Sequence, residues 1–275
     1  MAGRIRSALS KGISSIKNAL YAARLYLTMP RGTMFGRNHP AMREIKGIFE
    51  GREKVVAWVV GLGGPSLQLG FLHPTEHLEV AEMLRLGRVK DYTVYASDIN
   101  PLVTRIAEKD LKKGSVRIEL ARFTNPKVVR ALGRIFGFQD PTEKRRAYAK
   151  ELLGADAEKK TVKFEMPEKT CNSIVLLGRK KGLGNALLET PARRPGLITC
   201  FNVAYHYDPE KQRILAENLA KSLAPGGILI TETKSMEGAF GDELLRRLPN
   251  ASLKKVFGVE PTIHYIFRKP PLEKS

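Results

Sequence analysis

A chain of 275 residues with 43% hydrophobic content can bury the core of one large α/β domain with a short N-terminal addition, or of two small domains, and is not a disordered chain. Its apolar runs, Val55–Gly64 among them, fall well short of a membrane span, and Cys171 and Cys200 are too few and too isolated for a disulfide framework or a zinc site. The formal charge of +19 favours anionic partners (nucleic acid, an acidic membrane face or an acidic protein) but names no chemistry.

Residues 1–29 read as one amphipathic helix. Leu9, Ile13, Ile16, Leu20, Ala23 and Leu27 recur at spacings of four and three, and no acidic residue precedes Glu44. Such a basic helix either packs on its own domain or lies on an anionic membrane or acidic partner. Met29–Pro30 ends it and Arg31–Gly32 opens a linker, so residues 1–50 form an N-terminal basic helix and linker ahead of a domain over 51–270. The stretch lacks the single apolar block of a secretory signal. With the cysteine usage, the expectation is a cytoplasmic protein, peripheral at the membrane if the helix binds one.

From residue 55 strands and helices alternate. Val55–Val60 is a short, fully apolar run rich in β-branched residues, the pattern of a strand buried on both faces. Tyr92–Ser97, Leu197–Phe201 and Ile228–Thr233 are strands of the same kind. Between the last two, Asp208 caps a helix with Pro209 at its first position and a Leu215, Leu219, Leu223 stripe, stopped by Pro225–Gly227. Leu253–Phe257 and Thr262–Phe267 read as a closing antiparallel pair. The pattern predicts a three-layer α/β sandwich with a mostly parallel sheet and a C-terminal hairpin. Residues 105–190 form a helical, basic insertion region, with helices expected over Asn125–Phe138 and Thr142–Leu153. Gly178–Gly184 within it is a basic glycine loop without the order of a nucleotide P-loop.

Open parallel sheets bind ligands at the carboxyl ends of their strands. After the first strand stands Gly61-Leu62-Gly63-Gly64-Pro65-Ser66, a turn where glycine lets backbone approach a ligand closely. After the second comes Ser97-Asp98-Ile99-Asn100, whose carboxylate is placed to accept ribose hydroxyls. Together they point to an adenosine-containing cofactor. Ser66 stands where a dinucleotide fingerprint needs its third glycine, and 34 residues separate Gly64 from Asp98, which disfavours a nicotinamide.

An ordered set of motifs resembles the chemoreceptor glutamate methyltransferases of chemotaxis. Thr33-Met34-Phe35-Gly36-Arg37 is similar to their Thr-x-Phe-Phe-Arg element, and Gly63-Gly64-Pro65 to their acidic turn. Ala96-Ser97-Asp98-Ile99 is similar to the ribose-binding strand end, and Cys200–Asp208 to the Cys-Arg-Asn-Val segment. The resemblance implies a class I methyltransferase fold, Rossmann-like, binding S-adenosyl-L-methionine. It places Thr33 and Arg37 at the methionine end of the cofactor, Gly61, Gly63 and Gly64 beside it, Asp98 and Ile99 at the ribose, and Asn202 and Val203 near the donor sulfonium. Either Asn172 or Asn185 would contact adenine.

Arg37, Asn202, Tyr205 and His206 are the candidate groups around the acceptor, with His206 the candidate base for a hydroxyl or amine. The implied acceptor is a protein carboxylate. An RNA or small-molecule acceptor, or an inactive cofactor-binding module, remains open. Glycines replace the family's turn acids, Phe201 replaces an arginine and His206 a tyrosine, and no receptor-docking β-subdomain is legible in 105–190. No metal is expected.

Overall fold

The computed structural model describes residues 35–36, 38–62, 73–98, 101–120, 142–154, 161–177, 186–187, 189–257 and 263–271. The expected helices at 1–29 and 125–138 and the glycine loop at 178–184 lie outside them.

Strand β1 (Lys54–Val60) is central. Val55, Ala57 and Val59 pack into one hydrophobic cluster while Trp58 and Val60 enter another, so the strand is buried on both faces. Full burial of each of the three valines stabilises the fold by ~1.5–3 kcal/mol. Around it run β2 (Asp91–Ser97), β5 (Ile174–Leu176), β6 (Leu197–Cys200), β7 (Ile228–Glu232), β8 (Ser252–Phe257) and β9 (Ile263–Arg268). The seven strands lie in the order β5-β2-β1-β6-β7-β9-β8. All neighbours are parallel until β9, which runs antiparallel to both β7 and β8. This mostly parallel sheet with its C-terminal antiparallel hairpin, covered on both faces, is the class I methyltransferase arrangement. Its order reverses at β1, between β2 and β6, the position at whose carboxyl ends open α/β sheets form their ligand crevice.

One face is covered by α1 (His39–Phe49) and α2 (Glu76–Leu86), joined by α3 (Pro101–Lys113) and α4 (Thr142–Leu153). The other carries α6 (Pro209–Ser222) and α8 (Ala239–Arg247), with the single turn α7 (Thr233–Met236) after β7. In α6 the Asp208 carboxylate accepts from Lys211 N–H at 3.0 Å, and Leu215, Ala216, Leu219 and Ala220 face inward.

The stretch read as linker before residue 51 contains α1. Pro40 sits in its first turn, Ala41, Met42, Ile45 and Phe49 are buried, and Glu44 pairs with Lys254 of β8 at 2.5 Å. The 105–190 region holds α4, but also a separate antiparallel pair, β3 (Ser115–Glu119) with β4 (Thr161–Glu165), and then the short α5 (Glu168–Ser173) leading into β5. Cys200 is buried and Cys171 half-buried, both as free thiols, and burial pushes each thiol's pKa up. No helix of the described residues is long and apolar enough to cross a membrane.

Candidate functional site at the strand ends

The carboxyl ends of β1, β2 and β6 converge on Gly61. Its N–H donates to Ser97 O at 2.8 Å, and its φ of +83° lies where side chains are strained. A Cβ added there would come within 2.4 Å of Val203 Cγ2. Glycine is required by both conformation and packing. The next residue's N–H, from Leu62, donates to Asp98 Oδ2 at 2.9 Å. Asp98 therefore holds the start of the turn as well as standing at the end of β2. Beneath it, the buried Trp58 indole donates to Ser97 Oγ at 3.0 Å, which locks β1 to β2 just under the crevice.

Beyond β6, Asn202 adopts φ +57°, a left-handed conformation uncommon outside glycine. Its Nδ2 is buried and finds no hydrogen-bond acceptor among the described residues. Val203 then packs at Gly61, and Ala204–His206 make one 3-10 turn, closed by Tyr207 N–H on Ala204 O at 3.0 Å. The rings of Tyr205 and His206 lie 4.1 Å apart, and Lys234 Nζ sits 4.6 Å over the Tyr205 ring. Burial pushes the His206 imidazole pKa down to about 4, helped by the Lys234 charge and opposed by a hydrogen bond to the Asn202 backbone. His206 is neutral at pH 7 and only weakly basic.

Gly61, Asp98, Asn202, Val203, Tyr205 and His206 are thus brought to one end of the sheet. Thr33, Arg37, Gly63, Gly64, Ile99 and Asn185 lie outside the described residues. Asn172 does not join the site. It is exposed at the end of α5 and enters β5 from the amino end, opposite to the crevice.

Several buried polar groups beside the site escaped the sequence reading. Asn38, ahead of α1, donates from Nδ2 to Glu76 Oε1 at 3.3 Å and meets His264 Nε2 through Oδ1 at 3.0 Å. His264 lies opposite Glu232 across β7 and β9 and edge-on to Phe201, with ring centroids 5.5 Å apart. Ser235 Oγ donates to Glu232 at 2.5 Å. One turn further along α2, Glu79 accepts from Thr75 Oγ1 at 2.9 Å and from Gly36 N–H at 3.3 Å. Burial pushes its carboxyl pKa up to about 7, against the lowering effect of those bonds, of Tyr148 and of the Arg145 charge. The one sequence signal was the acidic pair Glu76 and Glu79 in the first turn of α2, which reads equally as a complement to the helix dipole.

No family model matches the chain, and no curated protein matches it. Solved structures resemble it weakly. A methyltransferase from Pyrococcus furiosus is 16% identical over 94% of this chain and 98% of its own, with a TM-score of 0.45. The N-methyltransferase NodS from Bradyrhizobium japonicum, in complex with S-adenosyl-L-homocysteine, is 15% identical over 88% and 90%, with a TM-score of 0.40.

Proposed function

We propose that the chain is an S-adenosyl-L-methionine-dependent methyltransferase, a divergent relative of the chemoreceptor enzymes. The observation that carries this reading is the convergence of Gly61, Asp98 and Asn202 at the point where the strand order reverses. The residues suit the cofactor. Gly61 leaves bare backbone, the half-buried Asp98 carboxylate stands at the strand end for a ribose, and the strained Asn202 offers a buried donor without an acceptor among the described residues. By the resemblance, Thr33, Arg37, Gly63, Gly64, Ile99 and Val203 complete the enclosure.

Bound there, the cofactor supplies an electrophilic methyl carbon. The protein's part is to align the acceptor in line and exclude water. A carboxylate acceptor is already ionised and needs no base, which agrees with the weak basicity of His206. Lys234, beside Tyr205 and His206, supplies a cation to receive it. The preferred acceptor is therefore a protein carboxylate, with Tyr205, His206 and Arg37 around it. An RNA or small-molecule acceptor is the second reading, favoured by the cations Lys113, Arg117 and Lys163 that line one cavity.

The test is transfer of a labelled methyl group into cell extract. Base-labile label in protein supports the carboxylate acceptor, and label in RNA or small molecules supports the second reading. Cofactor binding by calorimetry without label transfer would indicate an inactive binding module. No binding at millimolar cofactor would defeat the enzyme readings altogether.

A further inference from the structure

A second site lies away from the strand ends, where α3 meets the β3–β4 pair. We propose that this cavity binds a phosphate group. Its volume is about 380 Å³, and His73, Asp110, Lys113, Arg117 and Lys163 line it. That volume falls within the ~300–1,000 Å³ of small-ligand pockets.

Three observations make the cavity cationic. Arg117 and Lys163 are direct cross-strand partners in the antiparallel pair, so their side chains emerge side by side on one face. Like charges placed directly opposite destabilise a strand pair, and an anion between them removes that penalty. Lys163 also pairs with Glu165, two residues along its own strand, whereas Arg117 has no ion-pair partner among the described residues. Lys113, the last residue of α3, is likewise without one there, while its neighbour Lys112 is bound to Glu108 at 2.8 Å. Finally, Asp110 is the one carboxylate lining the cavity among the described residues. It is 5% exposed and already engaged by His73 Nδ1 at 2.6 Å.

Phosphate is the fitting chemistry. Three cations from three elements match a tetrahedral anion with several oxygens better than a planar carboxylate with two, and a guanidinium binds phosphate bidentately. A free phosphoester and an RNA backbone present the same group. The phosphate site does not depend on methyl transfer, although the same cations would hold the backbone of an RNA acceptor.

Calorimetry on the full chain with inorganic phosphate and with adenosine 5′-monophosphate tests this, alongside fluorescence anisotropy with a short single-stranded RNA. The expected result is binding by the wild type that Arg117→Ala weakens by about tenfold or more. Lys163→Ala should behave likewise, and Lys112→Ala should leave binding unchanged. Without phosphate, Arg117→Ala should melt no lower than wild type, since a like-charge contact is removed. Added phosphate should raise the wild-type melting temperature and not the variant's. If RNA binds and Arg117→Ala lowers its salt slope by about 0.7, the source is a nucleic-acid backbone. If only phosphate and the monophosphate respond, the source is a free phosphoester. Absence of any binding that Arg117→Ala weakens, or equal losses in Arg117→Ala and Lys112→Ala, would overturn the proposal. Cofactor binding measured on the same samples reports on the methyltransferase reading separately.

Discussion

Gly61 and Val203 are in such close contact that the glycine's missing side chain is part of the packing: the nearest valine methyl lies 2.4 Å from where a Cβ would stand. Gly61, the residue after β1, and Val203, three residues beyond β6, thus meet at one point.

Gly61→Ala therefore meets both a clash and an unfavourable φ of +83°. The expected cost is about 2–3 kcal/mol, seen as a fall of several degrees in melting temperature. Adding Val203→Ala should recover the packing part and leave the backbone part. Full recovery would mean that the left-handed conformation is not needed.

Asp98 carries two tasks, fixing Leu62 N–H and, on the proposed reading, holding the ribose. Asp98→Asn keeps an oxygen for Leu62 and should bind cofactor better than Asp98→Ala. The alanine variant should lose about tenfold or more in affinity by calorimetry, the scale of losing one charge-assisted bond. Unchanged binding in Asp98→Ala would move the pocket elsewhere.

The buried Glu79 makes stability fall as pH rises. Its folded pKa, about 7, lies above the ordinary 4.5, so between these values the folded state holds the proton more tightly than the unfolded chain does. Its contribution is fully present below pH 4.5, declines as pH rises through 7, and totals about 3 kcal/mol. Glu79→Gln removes the titration. Denaturant unfolding at pH 5 and pH 8 should show the variant gaining on wild type at the higher pH, and a constant difference would reject the assignment.

His206 moves the other way. A folded pKa of about 4 against 6.5 means that its contribution is present above pH 6.5 and lost as pH falls through 4. In an NMR titration its imidazole should remain neutral to about pH 5, and Lys234→Ala should raise the midpoint by removing the charge that helps depress it. In turnover assays the wild type should show no inflection near pH 6.5 from this residue. Such an inflection, abolished in His206→Phe, would restore a base role.

Strands β1, β2, β6, β7 and β9 were legible because burial on both faces, or next to a turn signal, leaves an apolar run that local pattern detects. Helix α1 was not. Gly47 and the charges at Arg43, Glu44 and Lys46 obscure its Ala41–Met42–Ile45–Phe49 stripe, which is stabilised by contacts with α2 and β8. The β3–β4 pair was hidden for a similar reason: each strand has five residues, with Arg117 and Lys163 on the outer face. The buried polar network was the least accessible. Glu79 is enclosed because Gly36, Thr75 and α4 converge on it, a fact of tertiary packing that no local pattern contains.

The central position of β1 also bears on how the molecule is made. Ala57 pairs with Leu197, and the difference, 197 − 57, is 140 residues. The strand that begins the crevice must wait for a neighbour synthesised long after it, and parallel pairing across such a separation is slow to form. Until β6 and Val203 arrive, Val55–Val60 is an apolar segment with one edge unfilled. A growing chain that stops before residue 197 thus lacks the strand that fills that edge, and leaves β1 as an apolar strand open to pairing with other chains.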